Sequence, residues 1–580
     1  MNGWLYAGSV EALRRNPKVV KGGRSGIAVF YHEGEVYAVD NRCPHMGFPL
    51  HMGSLCDGIL TCHWHHARFD LQSGGTLDPW ADDVPIYRTR VEDGKVWVEP
   101  EPCRQRSMEQ YRRRLREGME QNLSLVIAKA VIGLMEAGES PQSIARTGVE
   151  FGTRHRQAGW RSGLTILTAM VHLLPKLDHR GQILALYQGL VHVARESAGM
   201  GTRFLQEPLP VEGADPKRLA RWYRRSVEVR DIQGAERVLL TAIKAGFSEQ
   251  QLADMMMAAV MDHFYMDTGH ALDFHNKAFE VLDQIGSEQR AQVLTSLLPA
   301  FRNAERSEEL ISWQSPVDLV TPLQEAFSRL SEIRFGMVAH GVDERALVEL
   351  ILGNNPRRTV TEMTEALEKG MAPARLAQLV ALAAVERIER FHLQNEFEDW
   401  IRVLHTFTHA HAVHQSLRRS VTPDLVRGIY HGAMSVYLDR FLNIPSAKPP
   451  KGDLVSNEAP GDPGELLILL DKQHQVTEAA EWVATYLDRG GEKKPLFNAL
   501  GVALLREDAE FHTFQVVEAC LAEHDRWAEE TSELAQRAER SMILAMTRYL
   551  AAHAPTDRER AHTARIAWRL HRGEKLYEQG

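Results

Sequence analysis

Hydrophobic and polar positions follow two different patterns along this chain, and the change falls near residue 105. Before it, in residues 18–40 and 86–98, apolar residues occur in short runs or alternate with polar ones, and glycine-containing turns separate the runs. This spacing is typical of short β-strands, and the segments E-G-E (33–35) and E-D-G (92–94) predict hairpin turns. We therefore expect residues 1–103 to form an all-β domain.

From residue 107 onward the pattern is that of amphipathic helices. Ala, Leu, Glu and Arg are abundant, apolar residues recur every three or four positions, and strand-like runs are nearly absent. The predicted fold class is therefore α+β multidomain, with the β domain followed by a large all-helical domain over residues 107–580. Residues 443–464 are rich in Pro, Gly and charge, and this composition predicts an internal linker.

A short pattern recurs within the helical region. Segments 137–145 (A-G-E-S-P-Q-S-I-A), 245–253 and 369–377 each place a Gly after a helix, then a Ser or Ala cap, then Pro or Glu inside the next helix. A weaker copy begins at residue 487. The first three copies start 108 and 124 residues apart, which is too long for a single helical repeat of known type. The pattern indicates duplicated multi-helix units.

Length and composition narrow the class of protein. A chain of 580 residues is too long for one hydrophobic core, and a net charge of −9 argues against nucleic-acid binding. No apolar run is long enough to predict a membrane span, and no export signal is evident, so we expect a cytoplasmic protein. Five cysteines do not make a disulfide framework. In a reducing compartment, Cys and His in close spacing predict metal ligands instead.

Two short segments near the N-terminus carry such a spacing. Cys43 and His45 lie in one, and Cys62 and His65 lie in the other. Two thiolates and two imidazoles can bind zinc, and they also suit a 2Fe–2S cluster in which two Cys hold one iron and two His hold the other. Zinc modules usually pair like ligands, whereas each segment here is mixed. The spacing therefore favours the cluster, with zinc as the alternative.

The segments C-P-H-M-G (43–47) and C-H-W-H (62–65), followed by A-R-F-D-L-Q-S-G-G (67–75), resemble the ligand loops of Rieske 2Fe–2S domains. The resemblance covers residues 1 to about 100. It implies that Cys43 and Cys62 bind one iron, and that His45 and His65 bind the other.

The same resemblance gives no ligand role to His63 or His66, and His66 stands where many relatives have Gly. High-potential Rieske proteins carry an additional cysteine in each ligand loop, and this chain has neither. The resemblance therefore implies a low-potential, ferredoxin-type domain that accepts electrons from an external reductase and supplies oxygenases.

Histidines recur at related places in the helical region. H-T-F-T (405–408) and H-T-F-Q (512–515) share a motif, H-A-L-D (270–273) is their candidate equivalent, and His263 follows its glycine at the same distance as His155. Helical bundles build iron sites from inward-facing His and carboxylates. We therefore hypothesise a second metal site, a non-haem iron, with these candidate ligands: His263, His270, His405 and His512. The alternative is that duplicated histidines only pack, and His172, His179 and His192 are assigned no metal role.

The helical region is also similar to the questin-oxidase-like family of His-rich, all-helical enzymes. The similarity rests on H-F-Y-M-D-T-G-H-A-L-D-F-H-N-K-A-F (263–279) and H-T-F-T-H-A-H-A-V (405–413). It implies an iron-dependent oxygenase that acts on a small aromatic or quinone-like substrate. The catalytic domain of ring-hydroxylating Rieske oxygenases is a poorer match, because its mixed fold needs strands that this region does not predict.

Two functional hypotheses follow. In the first, the chain is an oxidoreductase whose Rieske cluster passes electrons from an external reductase to a His-rich iron centre. In the second, it is an electron-transfer ferredoxin whose helical region is a binding or regulatory scaffold. No dinucleotide or phosphate-binding glycine motif is present, so the reductase must be a separate protein.

Overall fold

The computed structural model describes residues 3–23, 25–103, 107–155, 157, 159–210, 213–336, 340–452, 459–574 and 576. Contacts divide the chain into two compact units. The first, which we call the β-containing unit, comprises residues 1–147 and 558–580, and the second, the helical unit, comprises residues 148–557. The predicted domain limits at 103 and 107 coincide with the change from strands to helices. The assignment of residues 1–103 and 107–580 to two separate domains stays a prediction.

The N-terminal region consists of short strands with one short helix after the first of them. Their bounds are β1 Leu5–Ser9, α1 Val10–Arg15, β2 Lys18–Val20, β3 Ile27–His32, β4 Glu35–Asp40, β5 Ser54–Cys56, β6 Ile59–Thr61, β7 Arg68–Asp70, β8 Ile86–Glu92 and β9 Lys95–Pro102.

The strands form a six-stranded antiparallel sheet in the order β1-β9-β8-β4-β3-β2 and a three-stranded sheet in the order β5-β6-β7. Both predicted hairpin turns are confirmed. Glu33-Gly34 joins β3 to β4 and Asp93-Gly94 joins β8 to β9, and all four residues have positive φ. Two successive positive φ values define the turn whose twist matches that of the flanking strands, which explains the glycine.

After Cys103, every regular element in the described residues is a helix. The α-helices are α2 Met108–Glu120, α3 Ser124–Glu136, α4 Pro141–Arg154, α5 Ser162–Leu173, α6 His179–Ser197, α7 Pro216–Glu228, α8 Ile232–Lys244, α9 Glu249–Val260, α10 His270–Ile285, α11 Arg290–Thr295, α12 Ile311–Gln314, α13 Val320–Leu330, α14 Glu344–Ile351, α15 Pro356–Glu368, α16 Pro373–Glu389, α17 Phe397–Arg419, α18 Pro423–Asp439, α19 Pro463–Leu469, α20 Val476–Asp488, α21 Lys493–Leu505, α22 Phe511–Trp527, α23 Glu533–His553 and α24 Glu559–His571. The predicted fold class, a β domain followed by a large helical region, is confirmed.

Short 3-10 helices occur in both units. They are Leu50–Met52, Leu174–Lys176, Met266–Gly269, Ser287–Gln289, Leu298–Arg302, Ser307–Glu309 and Arg440–Leu442. One of them matters below, because Met266–Gly269 immediately precedes α10.

The recurring glycine pattern corresponds to one local geometry. Gly138, Gly246, Gly370 and Gly490 all have positive φ, and each lies two residues beyond the end of a helix. In each case the N–H of the following residue donates to a carbonyl in the last turn, as Glu139 does to Leu134 at 2.9 Å. This hydrogen bond satisfies a helix-end carbonyl, and glycine accepts the left-handed backbone without cost. The four predicted helix junctions are therefore present, while a common origin of the units stays a prediction.

The predicted linker has no helix or strand in residues 443–452 and 459–462, and its residues 453–458 lie outside the described residues. No helix in the described part of the chain combines the length and hydrophobicity that crossing a bilayer requires.

Candidate metal centres

The two predicted ligand loops of the β-containing unit close in the same way. In the first loop, the N–H of Cys43 donates to Phe48 O (2.8 Å), and the N–H of Gly47 donates to Cys43 O (2.8 Å). In the second, Cys62 donates to Ala67 O (2.8 Å), and His66 donates to Cys62 O (2.9 Å). Each loop is thus a tight turn that begins at a cysteine.

His66 occupies the place in its turn that Gly47 occupies in the other. Both residues have positive φ, 87° for Gly47 and 61° for His66. A residue with a Cβ costs about 1 kcal/mol or more in this conformation, which explains why glycine is the expected residue there. The histidine therefore keeps the turn but adds an exposed imidazole beside the ligand positions.

The four predicted ligands form two pairs. Both cysteines are 1% exposed, and their thiols are hydrogen-bonded to each other. The rings of His45 and His65 lie edge to face with centroids 4.8 Å apart, and the buried Nδ1 of His45 has no protein partner. In the described residues, sets of three ligand atoms within 4.8 Å occur in two places, and neither includes these loops. A single tetrahedral zinc ion needs four mutually close ligand atoms, so two separate pairs fit the 2Fe–2S cluster better.

The surroundings favour the protonation states that bind iron. The hydrogen bond from Cys43 lowers the pKa of Cys62 to about 6, and backbone N–H groups of Trp64 and His65 act in the same direction. The hydrogen bond to Cys62, together with burial, raises the pKa of Cys43. Burial lowers the pKa of His45 to about 4. A thiolate and a neutral imidazole are therefore available at neutral pH, as metal binding requires.

A buried lysine of α3, which the sequence pattern does not indicate, supports the first ligand loop. Lys129 is 8% exposed, and its ammonium donates to Pro44 O (2.6 Å) and His45 O (3.2 Å). Its third partner is Asp82 Oδ2 at 3.3 Å, and Arg114 Nε donates to the other oxygen of Asp82 at 3.0 Å. The available signal was a single charge in the apolar run of residues 124–135.

Replacing Lys129 with methionine is expected to destabilise the β-containing unit. The change leaves two loop carbonyls and a buried carboxylate without this donor, and breaking a buried ion pair on one side costs about 3 kcal/mol. Chemical unfolding followed by the cluster's visible absorption should show the loss as a lower midpoint. Lys18→Met, an exposed lysine of β2, is the control and should leave the midpoint unchanged. Equal midpoints for Lys129→Met and the wild type would contradict the structural role.

Three of the predicted second-site histidines converge in the helical unit. His270 begins α10, His405 lies in α17 and His512 lies at the start of α22. The Nε2 atoms of His405 and His512 are 2.8 Å apart, and one ligand nitrogen from each of the three lies within 4.8 Å of the others. We call these three residues the histidine triad.

A strained turn positions His270 at the start of α10. Tyr265, Asp267 and Thr268 all have positive φ near 50°, although none is a glycine. Such a conformation costs about 1 to 2 kcal/mol for each residue, and runs of it concentrate at functional sites. Gly269 follows with φ 94°, and a Cβ there would lie 2.9 Å from the Cβ of His409. The buried His409 therefore packs against this turn rather than joining the triad.

Two of the triad histidines are held neutral by their surroundings. Burial lowers the pKa of His270 to about 4 and, together with the neighbouring imidazoles, lowers that of His405 to about 2. His512 Nδ1 donates to Glu510 Oε2 at 2.7 Å. This bond puts the proton of a neutral His512 on Nδ1, so the Nε2 lone pair faces the other two rings. Metal-bound histidines are commonly oriented by a carboxylate in this way.

His263, the fourth predicted ligand, lies elsewhere. Its Nδ1 is 2.6 Å from Glu308 Oε1, and its Nε2 is 2.7 Å from Glu228 Oε2. The hydrogen bond to Glu308 outweighs burial and raises the pKa of His263. Two carboxylates on opposite ring nitrogens favour an imidazolium, which has no lone pair for a metal. The structure therefore separates His263 from the triad and gives it an ion-pairing role.

The raised pKa of His263 predicts a pH-dependent contribution to stability. A pKa that is higher in the folded state stabilises the protein below the unfolded value of about 6.5, and this stabilisation is lost as pH rises through the folded-state pKa. The difference in unfolding free energy between the wild type and His263→Gln should therefore be larger at about pH 6 than at about pH 9. Urea unfolding at both pH values measures it. An unchanged difference would mean that His263 is not an ion-pair partner.

A cavity of about 460 Å³ lies beside Glu510 in the helical unit. Its walls include the apolar side chains of Phe397, Leu504 and Leu550, while polar groups come from Glu507, Asp508, Glu510, Thr513 and His553. Glu510 thus contacts both this cavity and His512. The size and lining are those of a pocket for a small organic molecule.

Paired cysteines and paired histidines on adjoining turns of an antiparallel β domain are the arrangement of an iron–sulfur protein. A Rieske [2Fe-2S] domain model matches residues 3–88. The ferredoxin component of the naphthalene 1,2-dioxygenase/salicylate 5-hydroxylase systems of Ralstonia sp is 31% identical over 100 residues, which cover 17% of this chain and 96% of that protein. This chain belongs to the Rieske [2Fe–2S] family through its N-terminal domain.

Two further comparisons concern the same region. Human apoptosis-inducing factor 3 is 38% identical over 66 residues, so the match spans 11% of this chain and only 11% of that relative's length. The solved ferredoxin of carbazole 1,9a-dioxygenase from Nocardioides aromaticivorans IC177 is 24% identical with a TM-score of 0.16, and the match covers 17% of this chain and all of that one. Electron transfer by a 2Fe–2S cluster is the function that the family membership supports.

Proposed function

We propose that this chain is an iron–sulfur oxygenase. Cys43, His45, Cys62 and His65 would hold the 2Fe–2S cluster, which accepts electrons from an external reductase. The electrons would pass to a non-haem iron at the histidine triad, where a small aromatic or quinone-like substrate is oxygenated. The family membership supports the first part, and the helical unit supports the second.

The observation that carries the proposal is the convergence of three histidines from three helices. A lone histidine on a helix is most often a packing residue, but His270, His405 and His512 bring their nitrogens within 4.8 Å of one another. Bringing them together requires a strained turn before α10 and a carboxylate behind His512. Imidazole ligands with open positions suit iron(II), and they also suit zinc or copper.

A bound iron would supply the chemistry of dioxygen activation, and the surrounding residues would serve it in three ways. Glu510 orients His512 and fixes its tautomer through the 2.7 Å hydrogen bond. Burial of His270 and His405 keeps both rings neutral and limits access of water. The cavity beside Glu510 offers apolar walls at Phe397 and Leu550 for the hydrocarbon part of a substrate.

Metal content tests the proposal directly. The full-length protein, isolated with its cluster, should contain iron beyond the two atoms of the 2Fe–2S centre. After anaerobic reduction, nitric oxide should produce the EPR signal of a high-spin iron–nitrosyl adduct in addition to the signal of the reduced cluster. Iron equal to the cluster content, with no other metal present, would exclude an oxygenase centre in this chain.

The second candidate is an electron-transfer ferredoxin with a helical binding scaffold. It is favoured by the Ralstonia relative, which is named as a separate ferredoxin component and is almost wholly covered by the N-terminal domain. This candidate predicts a reducible cluster, no surplus metal and no substrate-dependent consumption of oxygen when a reductase is supplied. The same metal analysis therefore separates the two functions.

A further inference from the structure

A second set of buried ligand atoms lies along the same helices as the histidine triad, and the proposed function does not use it. His172 of α5, Glu280 of α10 and Glu518 of α22 bring ligand atoms within 4.8 Å of one another. His172 Nδ1 lies 2.8 Å from Glu518 Oε1 and 3.7 Å from Glu280 Oε2. Glu518 follows His512 by six residues on α22, which separates the two places by about 9 Å along the helix.

A fourth helix aims an unpartnered nitrogen at this set. His411 of α17 is 1% exposed, and its Nδ1 is 2.7 Å from Glu523 Oε1. Its Nε2 is buried without a hydrogen-bond partner and lies 4.0 Å from Glu518 Oε2. That separation is too long for a hydrogen bond, but it suits two ligands of one cation, since each metal–ligand bond is about 2.1 Å.

The charges around the set are unbalanced. Four carboxylates lie in this part of the bundle, and none of their side chains is more than 13% exposed. They are Asp273, Glu280, Glu518 and Glu523. Lys277, whose ammonium lies 2.9 Å from Glu280 Oε2 and 2.6 Å from Glu518 Oε2, is the one fully buried lysine or arginine beside them in the described residues. Glu523 also pairs with His414, whose Nδ1 lies 2.8 Å from each of its oxygens, and burial raises the pKa of Asp273 to about 6. The negative charge left to be balanced is therefore that of Glu280 and Glu518, which share Lys277.

We infer that His172, Glu280, Glu518 and His411 form a binding site for a divalent first-row transition-metal cation. We call it the carboxylate site. Two imidazoles and two carboxylates are a donor set that such cations accept. Glu523 would accept the Nδ1 proton of His411 and so leave the Nε2 lone pair for the metal, as carboxylates do behind metal-bound histidines.

The competing explanation is that protonated histidines balance the carboxylates. In that case, the N–H at Nε2 of His411 would be buried with no acceptor within hydrogen-bonding distance, because Glu518 Oε2 is 4.0 Å away. A cation between the two groups satisfies both, which is why the geometry favours a metal. Lys277 bonds the same two carboxylates, so it should weaken metal binding but not prevent it.

Manganese binding by the full-length protein tests the inference. The experiment uses the His270→Ala/His405→Ala background, so that the outcome does not depend on the triad or on the proposed oxygenase function. The protein is stripped of loosely bound metal and kept with its cluster oxidised, and free Mn²⁺ is followed by its EPR signal during titration. We expect one saturable Mn²⁺ site per chain.

Single substitutions in that background identify the ligands. His411→Ala and Glu518→Gln should each weaken Mn²⁺ binding about 100-fold or more, because each removes a direct ligand. Lys277→Met should strengthen it about tenfold, because a neighbouring positive charge is removed. His192→Ala is the matched control, because His192 packs against Phe514, which lies on the same helix as Glu518. The Mn²⁺ affinity of this variant should equal that of the double variant.

Circular dichroism melts show which variants fold. Absence of a Mn²⁺ site in the folded double variant would overturn the inference. Folded Glu518→Gln and His411→Ala variants that bind Mn²⁺ as tightly as the double variant does would overturn it as well. If both ligand variants fail to fold, Lys277→Met decides: stronger binding supports the carboxylate site, and unchanged or weaker binding overturns it.

Discussion

The Cys43→Ala variant is expected to lose the visible absorption of the oxidised cluster and the low-g EPR signal of the reduced one. Cys43 is 1% exposed, begins the first ligand turn and shares a hydrogen bond with the Cys62 thiol. Without it, one iron has a single protein ligand, and the remaining residues cannot complete its coordination. Ultraviolet–visible and EPR spectra of the purified variant, together with its iron content, measure the loss.

Cys56→Ala provides the matched control, because Cys56 is an exposed free cysteine at the end of β5 in the same unit. It should keep the full spectrum. A cluster spectrum that survives in Cys43→Ala would show that the ligand set is wrong. Zinc in place of iron in the wild type would favour the alternative that the two Cys and two His bind zinc.

The His270→Ala/His405→Ala variant is expected to lose one iron per chain relative to the wild type while keeping the cluster spectrum. The change removes two of the three converging imidazoles, and a single histidine cannot hold iron against exchange into solvent. Substrate-dependent oxygen consumption with a supplied reductase should disappear with the surplus iron. Metal analysis and nitric oxide EPR on the same preparation link the two losses.

Removing two buried rings also creates cavities, which destabilise a protein by about 2 to 5 kcal/mol for each large side chain. Trp527→Ala separates this effect from metal loss, because Trp527 is 0% exposed and lies 15 residues beyond His512 on α22, about 22 Å along the helix. It should lower the melting temperature of the helical unit and retain the surplus iron. Loss of iron in Trp527→Ala would mean that general destabilisation explains both results.

Local features of this fold could be predicted because local chemistry determines them. The hairpins at Glu33-Gly34 and Asp93-Gly94 and the four glycine helix ends each depend on a few adjacent residues, and the structure has all of them. The spacing of the Cys and His loops likewise identified the Rieske domain, because the family's ligand spacing is specific. The left-handed backbone of His66 could not be predicted, since any residue but glycine is disfavoured there.

The ligands of the candidate second site could be predicted only in part. Shared local motifs grouped His270, His405 and His512, and these three residues are the ones that lie together. His263 was predicted as a ligand from its distance to a preceding glycine. That distance carries no information about which helices pack together, and His263 pairs with Glu228 and Glu308 instead. Lys129, His411 and Glu518 were missed, because their roles depend entirely on long-range packing.

The path of the chain through the β-containing unit has a consequence for biosynthesis. The side chain of Arg42, in the first ligand loop, donates to the carbonyls of Leu570 and Glu574, and α24 packs against α3. Helix α24 leaves the ribosome only after the whole helical unit has been made, although domains generally fold as they emerge. The unit that binds the cluster is thus completed only after the helical unit. Iron–sulfur assembly onto a nascent or prematurely ended chain would meet an incomplete scaffold, so cluster retention should report translation through residue 571.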